Sequence, residues 1–289
     1  MKAFIRKYWF WFSILFTLAM TVAWQGSGSL LGGIVACGVT SYISVWVVKK
    51  MLPERFAGLF CKESVRKGIK YCLPVLGGSA LLLFLSATRS DMTALNADPL
   101  VVVGVLTTYP IVAAAEVFLI CGPLLHLMMN RYANDDVGVF KAVAYTGLVF
   151  GLVNFAYGCT YMISIEGATA IAVIAQGIYV AVAAMFLATM YLATENFYLV
   201  LVVRIVCSLL ERGVEMVAAQ PVNLYTLVGL TKTDCIIVFV LSAVLFGLAL
   251  TFSTNVVPWD KGDFVQKKKS APLVAQNPRL NMPKLGRKK

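Results

Sequence analysis

Eight apolar runs separated by short polar stretches make up most of this chain: Tyr8–Trp24, Leu30–Val48, Tyr71–Ala87, Leu100–Met129, Val139–Ile163, Ala168–Leu192, Phe197–Leu210 and Cys235–Thr254. A run of about 20 apolar residues spans the hydrocarbon of a bilayer as a helix, because a helix pairs its own backbone polar groups where no water can. The pattern predicts an all-α polytopic transmembrane bundle of seven to eight helices over residues 1–254. Residues 255–289 form a basic tail, rich in Lys and Pro, that is read as disordered. The fourth run contains Pro110 and is expected to break there, leaving Ile111–Met129 as the spanning part. The seventh run is short. Its helix can be continued through Glu211 and Arg212 to Ala219, with Gln220-Pro221 as the stop.

Composition excludes the main soluble classes. The chain is 60% apolar and 13% charged, about half the charged share of an ordinary soluble domain. Its net charge of +11 does not point to nucleic acid, because the charges flank helices, where they meet anionic lipid headgroups. Nineteen of the 25 basic residues fall in three segments: the first seven residues, residues 49–70 and the tail after Thr254. Eight crossings put all three on one side, so the positive-inside rule places both termini in the cytoplasm. The first apolar run follows a basic stretch but has no small-residue cleavage site after it, and is read as an uncleaved anchor.

The seven cysteines include no C-x-x-C pair and most lie within apolar runs, where cysteine acts as a small hydrophobe. The single histidine, His126, is expected near the cytoplasmic end of the fourth helix. Neither a catalytic zinc set nor a Ser/His/Asp arrangement can be assembled from these residues, so no metal, cofactor or catalytic residue is assigned.

Ionisable groups inside membrane helices are costly and therefore informative. Glu116 sits in Ile111-Val-Ala-Ala-Ala-Glu-Val-Phe-Leu-Ile120, and Arg204 in Leu199-Val-Leu-Val-Val-Arg-Ile-Val-Cys-Ser208. Either they pair, directly or in a shared hydrated cavity, or each reaches water or headgroups separately. Arg204, Ser208, Glu211 and Glu215 recur at helical spacing and could form one polar stripe, although an interfacial helix end is the plainer reading of the last two. In the fifth run, Gly147 and Gly151 form a G-x-x-x-G packing face with Asn154 nearly one turn further on. Small residues at this spacing let helix backbones approach, and a buried amide can hydrogen-bond across the contact. The face is expected to engage a neighbouring helix and to serve as the contact surface for a partner.

These segments resemble the superfamily of glutamate-type and CAAX-processing intramembrane proteases. The protease motifs E-E-x-x-x-R and F-x-x-x-H correspond to Glu116-Val-Phe-Leu-Ile-Cys121 and Phe150-Gly-Leu-Val-Asn154, and Arg204 stands near a later histidine. Of the catalytic positions, only Glu116 is kept. Within the superfamily the chain is similar to the non-catalytic Aph-one (anterior-pharynx-defective) scaffold subunits of gamma-secretase. That likeness rests on Glu116-Val117-Phe118, on Ala144-Tyr-Thr-Gly-Leu-Val-Phe-Gly151 and on Arg89-Ser-Asp91. The chain departs from that family in its additional helix and in lacking both of the family's buried histidines, at Ala188 and in the Arg204–Ser208 region.

The resemblance implies a non-catalytic assembly subunit with presenilin-type and nicastrin-type partners, held among lipid in the endoplasmic reticulum, Golgi or another endomembrane. A bacterial plasma membrane would satisfy the same charge rule. The competing readings are a protease-family member, active or not, and a small-solute transporter.

Overall fold

The computed structural model describes residues 8–25, 30–51, 65–95, 99–132, 138–164 and 169–255. The tail after residue 255 and the basic loop between residues 52 and 64 lie outside them. The described chain is an all-α bundle. Its helices are α1 (Trp9–Gln25), α2 (Leu30–Met51), α3 (Val65–Arg89), α4 (Pro99–Leu119), α5 (Leu125–Tyr132), α6 (Gly138–Ser164), α7 (Ala170–Thr194), α8 (Phe197–Arg212) and α9 (Lys232–Asn255). Six helical segments among the described residues are long and apolar enough to cross a membrane, with α4 and α5 counted as one. The chain is therefore a multi-pass integral membrane protein. Of the rest, α1 is a shorter apolar helix, and α8 has only 16 residues.

Packing follows residue size. The longest contact is α6 against α7, and α7 also packs on α9. Helix α4 lies against α2 and α8, α3 packs on α8, and α1 rests on α2 and α6. The G-x-x-x-G face of α6 is filled from within the chain. A Cβ at Gly147 would lie 2.5 Å from the Ala181 carbonyl, and one at Gly151 would lie 2.9 Å from the Gly177 carbonyl. The expectation that this face is free for a partner is thus corrected: α7 carries its own small residues, Gly177 and Ala181, opposite it and occupies it. Several hydroxyls inside the helices are satisfied locally, whereas those of Thr17, Thr21, Thr40 and Ser44 in α1 and α2 are buried without a partner among the described residues. Thr146, Thr189, Thr194 and Ser242 each donate to the carbonyl four residues back, the usual solution where no water competes.

The fourth run does not break at Pro110. Helix α4 continues through it, and the break comes at Gly122-Pro123, inside a π-turn over Ile120–Leu124 that separates α4 from α5. Pro123 cannot donate to the preceding turn, and a residue before proline is pushed out of the helical region. Gly122 takes up that distortion with a ψ of −109°. His126, near the end of this span, is enclosed by protein. It is 2% exposed, and its Nδ1 lies 2.8 Å from the Gly122 carbonyl. That carbonyl can only accept, so Nδ1 carries the proton.

Helix α8 also stops earlier than Ala219. It ends at Arg212, passes into a 3₁₀ turn (Gly213–Met216) and then into strand β2 (Ala218–Gln220). This strand pairs antiparallel with β1 (Asp91–Leu95), which follows α3. The two-stranded sheet marks one end of the bundle, here called the sheet end. At the same end, Arg89 on α3 makes an ion pair of 2.9 Å with Asp234 at the start of α9. Asp234 also accepts from the Thr231 N–H and hydroxyl at 2.9 and 2.7 Å.

Gly151→Leu should prevent α6 from seating on α7, at a cost of about 3 kcal/mol or more. Gly247→Leu, at a position with no atom within 4 Å, should leave stability unchanged. Thermal unfolding of the two variants in detergent checks this; equal midpoints would contradict the packing described.

Candidate functional site

The polar centre of the bundle is built around Arg204, midway along α8 and 8% exposed. Its Nε donates to Glu116 Oε2 on α4 at 2.7 Å, and its Nη1 donates to Glu211 Oε2, two turns further along α8, at 2.9 Å. The acid and base that stand alone in their apolar runs are therefore joined directly. Neither points separately to water. Breaking such a buried pair by removing one partner costs about 3–5 kcal/mol, because the other charge is left uncompensated.

Glu211 is more deeply enclosed than Glu116, with its side chain 1% exposed against 13%. Expected at an interfacial helix end, it is instead the most heavily bonded group of the cluster. Oε1 accepts from Ser79 on α3 at 2.9 Å and from Tyr179 on α7 at 2.7 Å. Oε2 accepts from Arg204 and, at 2.6 Å, from Tyr225 in the loop after β2. Four donors fill the lone pairs of one carboxylate. Tyr225 lies outside the spanning helices. Burial, with the Glu211 carboxylate beside it, holds its phenol well above the usual tyrosine range, so it stays a donor.

The depth of this cluster follows from helix geometry. Ser79 lies ten residues before the end of α3, and Tyr179 nine residues after the start of α7. At a rise of 1.5 Å per residue these are about 15 and 14 Å from the sheet end, close to the middle of a ~30 Å hydrocarbon layer. A second layer lies nearer the sheet end. Glu215, in the 3₁₀ turn, accepts from the Tyr109 hydroxyl of α4 and from Asn223 Nδ2, the latter at 2.6 Å. The Arg212 guanidinium stacks between the rings of Tyr109 and Tyr225, 4.4 and 4.3 Å from their centroids. Each such contact adds about 0.5–2 kcal/mol, depending on desolvation.

The other sequence candidates fall elsewhere. Ser208 is buried in α8 beside the cluster, at 4% exposure. Asn154 is only half-buried and does not bridge helices: its Nδ2 donates to the Phe150 carbonyl of its own helix at 2.8 Å. Gly147 and Gly151 belong to the α6–α7 contact and not to the polar centre. Among the described residues, no three His, Cys, Asp or Glu side chains come together as metal ligands, and the six described cysteines form no disulfide.

Sequence reasoning misses Ser79, Tyr109, Tyr179, Asn223 and Tyr225. Serine and tyrosine occur throughout apolar helices, and no spacing distinguishes those that reach a carboxylate from those that do not.

Glu211→Gln should lower stability more than Glu116→Gln. It replaces an acceptor of four bonds with a group that itself carries donors, whereas among the described residues Glu116 accepts from Arg204 alone, through one oxygen, and is partly accessible. Midpoints of unfolding followed by tryptophan fluorescence in detergent should fall in that order; the reverse order would contradict the assignment of Glu211 as the anchor.

No protein-family model, no curated protein and no solved structure matches this chain.

Proposed function

We propose that the chain is a non-catalytic multi-pass membrane scaffold, an assembly subunit in the manner of the Aph-one proteins within the intramembrane protease superfamily. One observation carries this reading: Glu116, the one protease-like catalytic position the sequence keeps, is bonded to Arg204, which stands near where the proteases carry a histidine. A general base needs a free carboxylate, and a catalytic histidine exchanges protons near neutral pH. A guanidinium does neither: it stays charged, withdraws the carboxylate from proton transfer and fixes α4 to α8. The same pair in a transporter would have to open to pass a solute, yet here it is tied further to Glu211 and its other three donors.

A scaffold needs a surface for its partner, and the G-x-x-x-G face is already taken. The lipid-facing side of α3 is the stronger candidate. Leu73, Gly77, Leu81 and Phe84 are exposed along one stripe, and a Cβ at Gly77 would meet nothing within 4 Å. Glycine weakens a helix by about 1 kcal/mol relative to alanine. On a lipid-facing stripe, its use is to let another helix approach closely. By resemblance, the partners are a presenilin-type catalytic subunit and a nicastrin-type ectodomain subunit. In this reading the end of the bundle opposite the sheet, which carries Lys49 and Lys50 at the end of α2, faces the cytoplasm in keeping with the positive-inside rule, and the sheet end lies across an endomembrane.

Extraction in a mild detergent followed by mass spectrometry should recover a stoichiometric membrane partner, and Gly77→Leu should lose it while the chain still inserts and folds. Recovery of the chain alone, or cleavage of a membrane substrate that stops in Glu116→Gln, would overturn the reading.

A further inference from the structure

A cavity of about 370 Å³ lies at the sheet end, outside the charge cluster. One wall is the first half of α4, with Val101, Gly104 and Val105; the facing wall includes Ala219 and Pro221. Its volume is in the range of small-molecule sites, which combine apolar walls with a few placed polar groups. Gly104 helps to make it, since a Cβ there would meet no atom within 4 Å.

The charged group lining this space is Glu215. Its two oxygens accept from Tyr109 and from Asn223. Each carboxylate oxygen has two lone pairs, so each can take one more donor. The nearby cation, Arg212, is stacked between two tyrosine rings and does not line the cavity. A ligand entering therefore meets a carboxylate, with Thr108, Tyr109 and Thr226 nearby, between the apolar surfaces of Val101, Val105 and Pro221. An anion brings no donor to these oxygens, and an uncharged apolar ligand would strip water from the carboxylate without replacing its hydrogen bonds. An alkylammonium fits both features. Its head supplies three donors and a positive charge, and its stem covers the α4 wall.

We propose that this cavity binds a primary ammonium group carried on an apolar stem, with the ammonium on Glu215 and the stem along Val101–Val105. The chemistry is that of a free aliphatic amine; an ethanolamine lipid headgroup carries its ammonium two carbons from a phosphate anion and lacks the apolar stem. The site is independent of the scaffold reading and would exist in any protein with this geometry.

The test uses the full chain in phosphatidylcholine nanodiscs, titrated with n-hexylammonium chloride and, as an uncharged match, 1-hexanol. The ammonium should raise the unfolding midpoint by about 2 °C or more at saturation, and hexanol should not. A second arm replaces part of the phosphatidylcholine with phosphatidylethanolamine and adds no amine; no rise is expected there, and a rise in that arm alone would overturn the assignment of an apolar stem. Glu215→Gln should abolish the response. Gly104→Leu, which adds a side chain in open space and leaves the Glu215 hydrogen bonds intact, should abolish it as well. No rise with hexylammonium, an equal rise with hexanol, or a rise retained in Glu215→Gln or in Gly104→Leu would overturn the proposal.

Discussion

A guanidinium held between two carboxylates inside a bilayer is the constraint on which the rest of this bundle depends. Arg204 could not remain in α8 without Glu116 and Glu211, since a lone charge in hydrocarbon costs several kcal/mol. Glu211 in turn requires its other three donors, which come from α3, α7 and the loop after β2. Glu116 brings in α4 through Arg204. One polar centre thus fixes four helices and a loop in mutual register. Apolar packing alone would do this poorly, because lipid tails compete equally well for apolar side chains.

The short α8 makes sense in this setting. Its 16 residues span about 24 Å, less than a full hydrocarbon layer, and at Arg212 the chain turns back as a 3₁₀ turn, strand and loop. That irregular backbone is tolerated at depth where protein rather than lipid surrounds it. Asn223 reinforces the arrangement by accepting from the Tyr225 and Thr226 backbone N–H groups at 2.8 and 2.9 Å, which shapes the loop that presents Tyr225 to Glu211.

Much of the fold is legible in the sequence, because apolar runs report directly on what lipid will tolerate: seven of the eight predicted runs correspond to one helix each and the fourth to α4 and α5 together, with ends within a few residues except in α3, which starts six residues earlier at Val65. Local backbone chemistry is harder to read. Pro110 and Pro123 both lie in the fourth apolar run, and the residue before each separates them: the helix runs on through Tyr109-Pro110, whereas Gly122 leaves the helical region. Gly147 and Gly151 announce a close contact but not its occupant, since the matching small residues of α7 are equally consistent with a partner elsewhere. Glu116 and Arg204 stand out because charge is rare in such runs. Glu211 does not, because it follows the run's end, where an acid is ordinary; only the returning loop, invisible to helical periodicity, makes that position an interior one.

The most direct measurement is a thermodynamic cycle on Arg204→Met, made once in the native chain and once in a chain already carrying Glu116→Gln and Glu211→Gln. If the guanidinium is held by these carboxylates, its loss should be severe in the native background, by about 3 kcal/mol or more. It should be nearly neutral, or favourable, once both acids are uncharged. An equal cost in the two backgrounds would mean that Arg204 finds its counter-charge elsewhere, and the polar centre described here would not be what holds the bundle together.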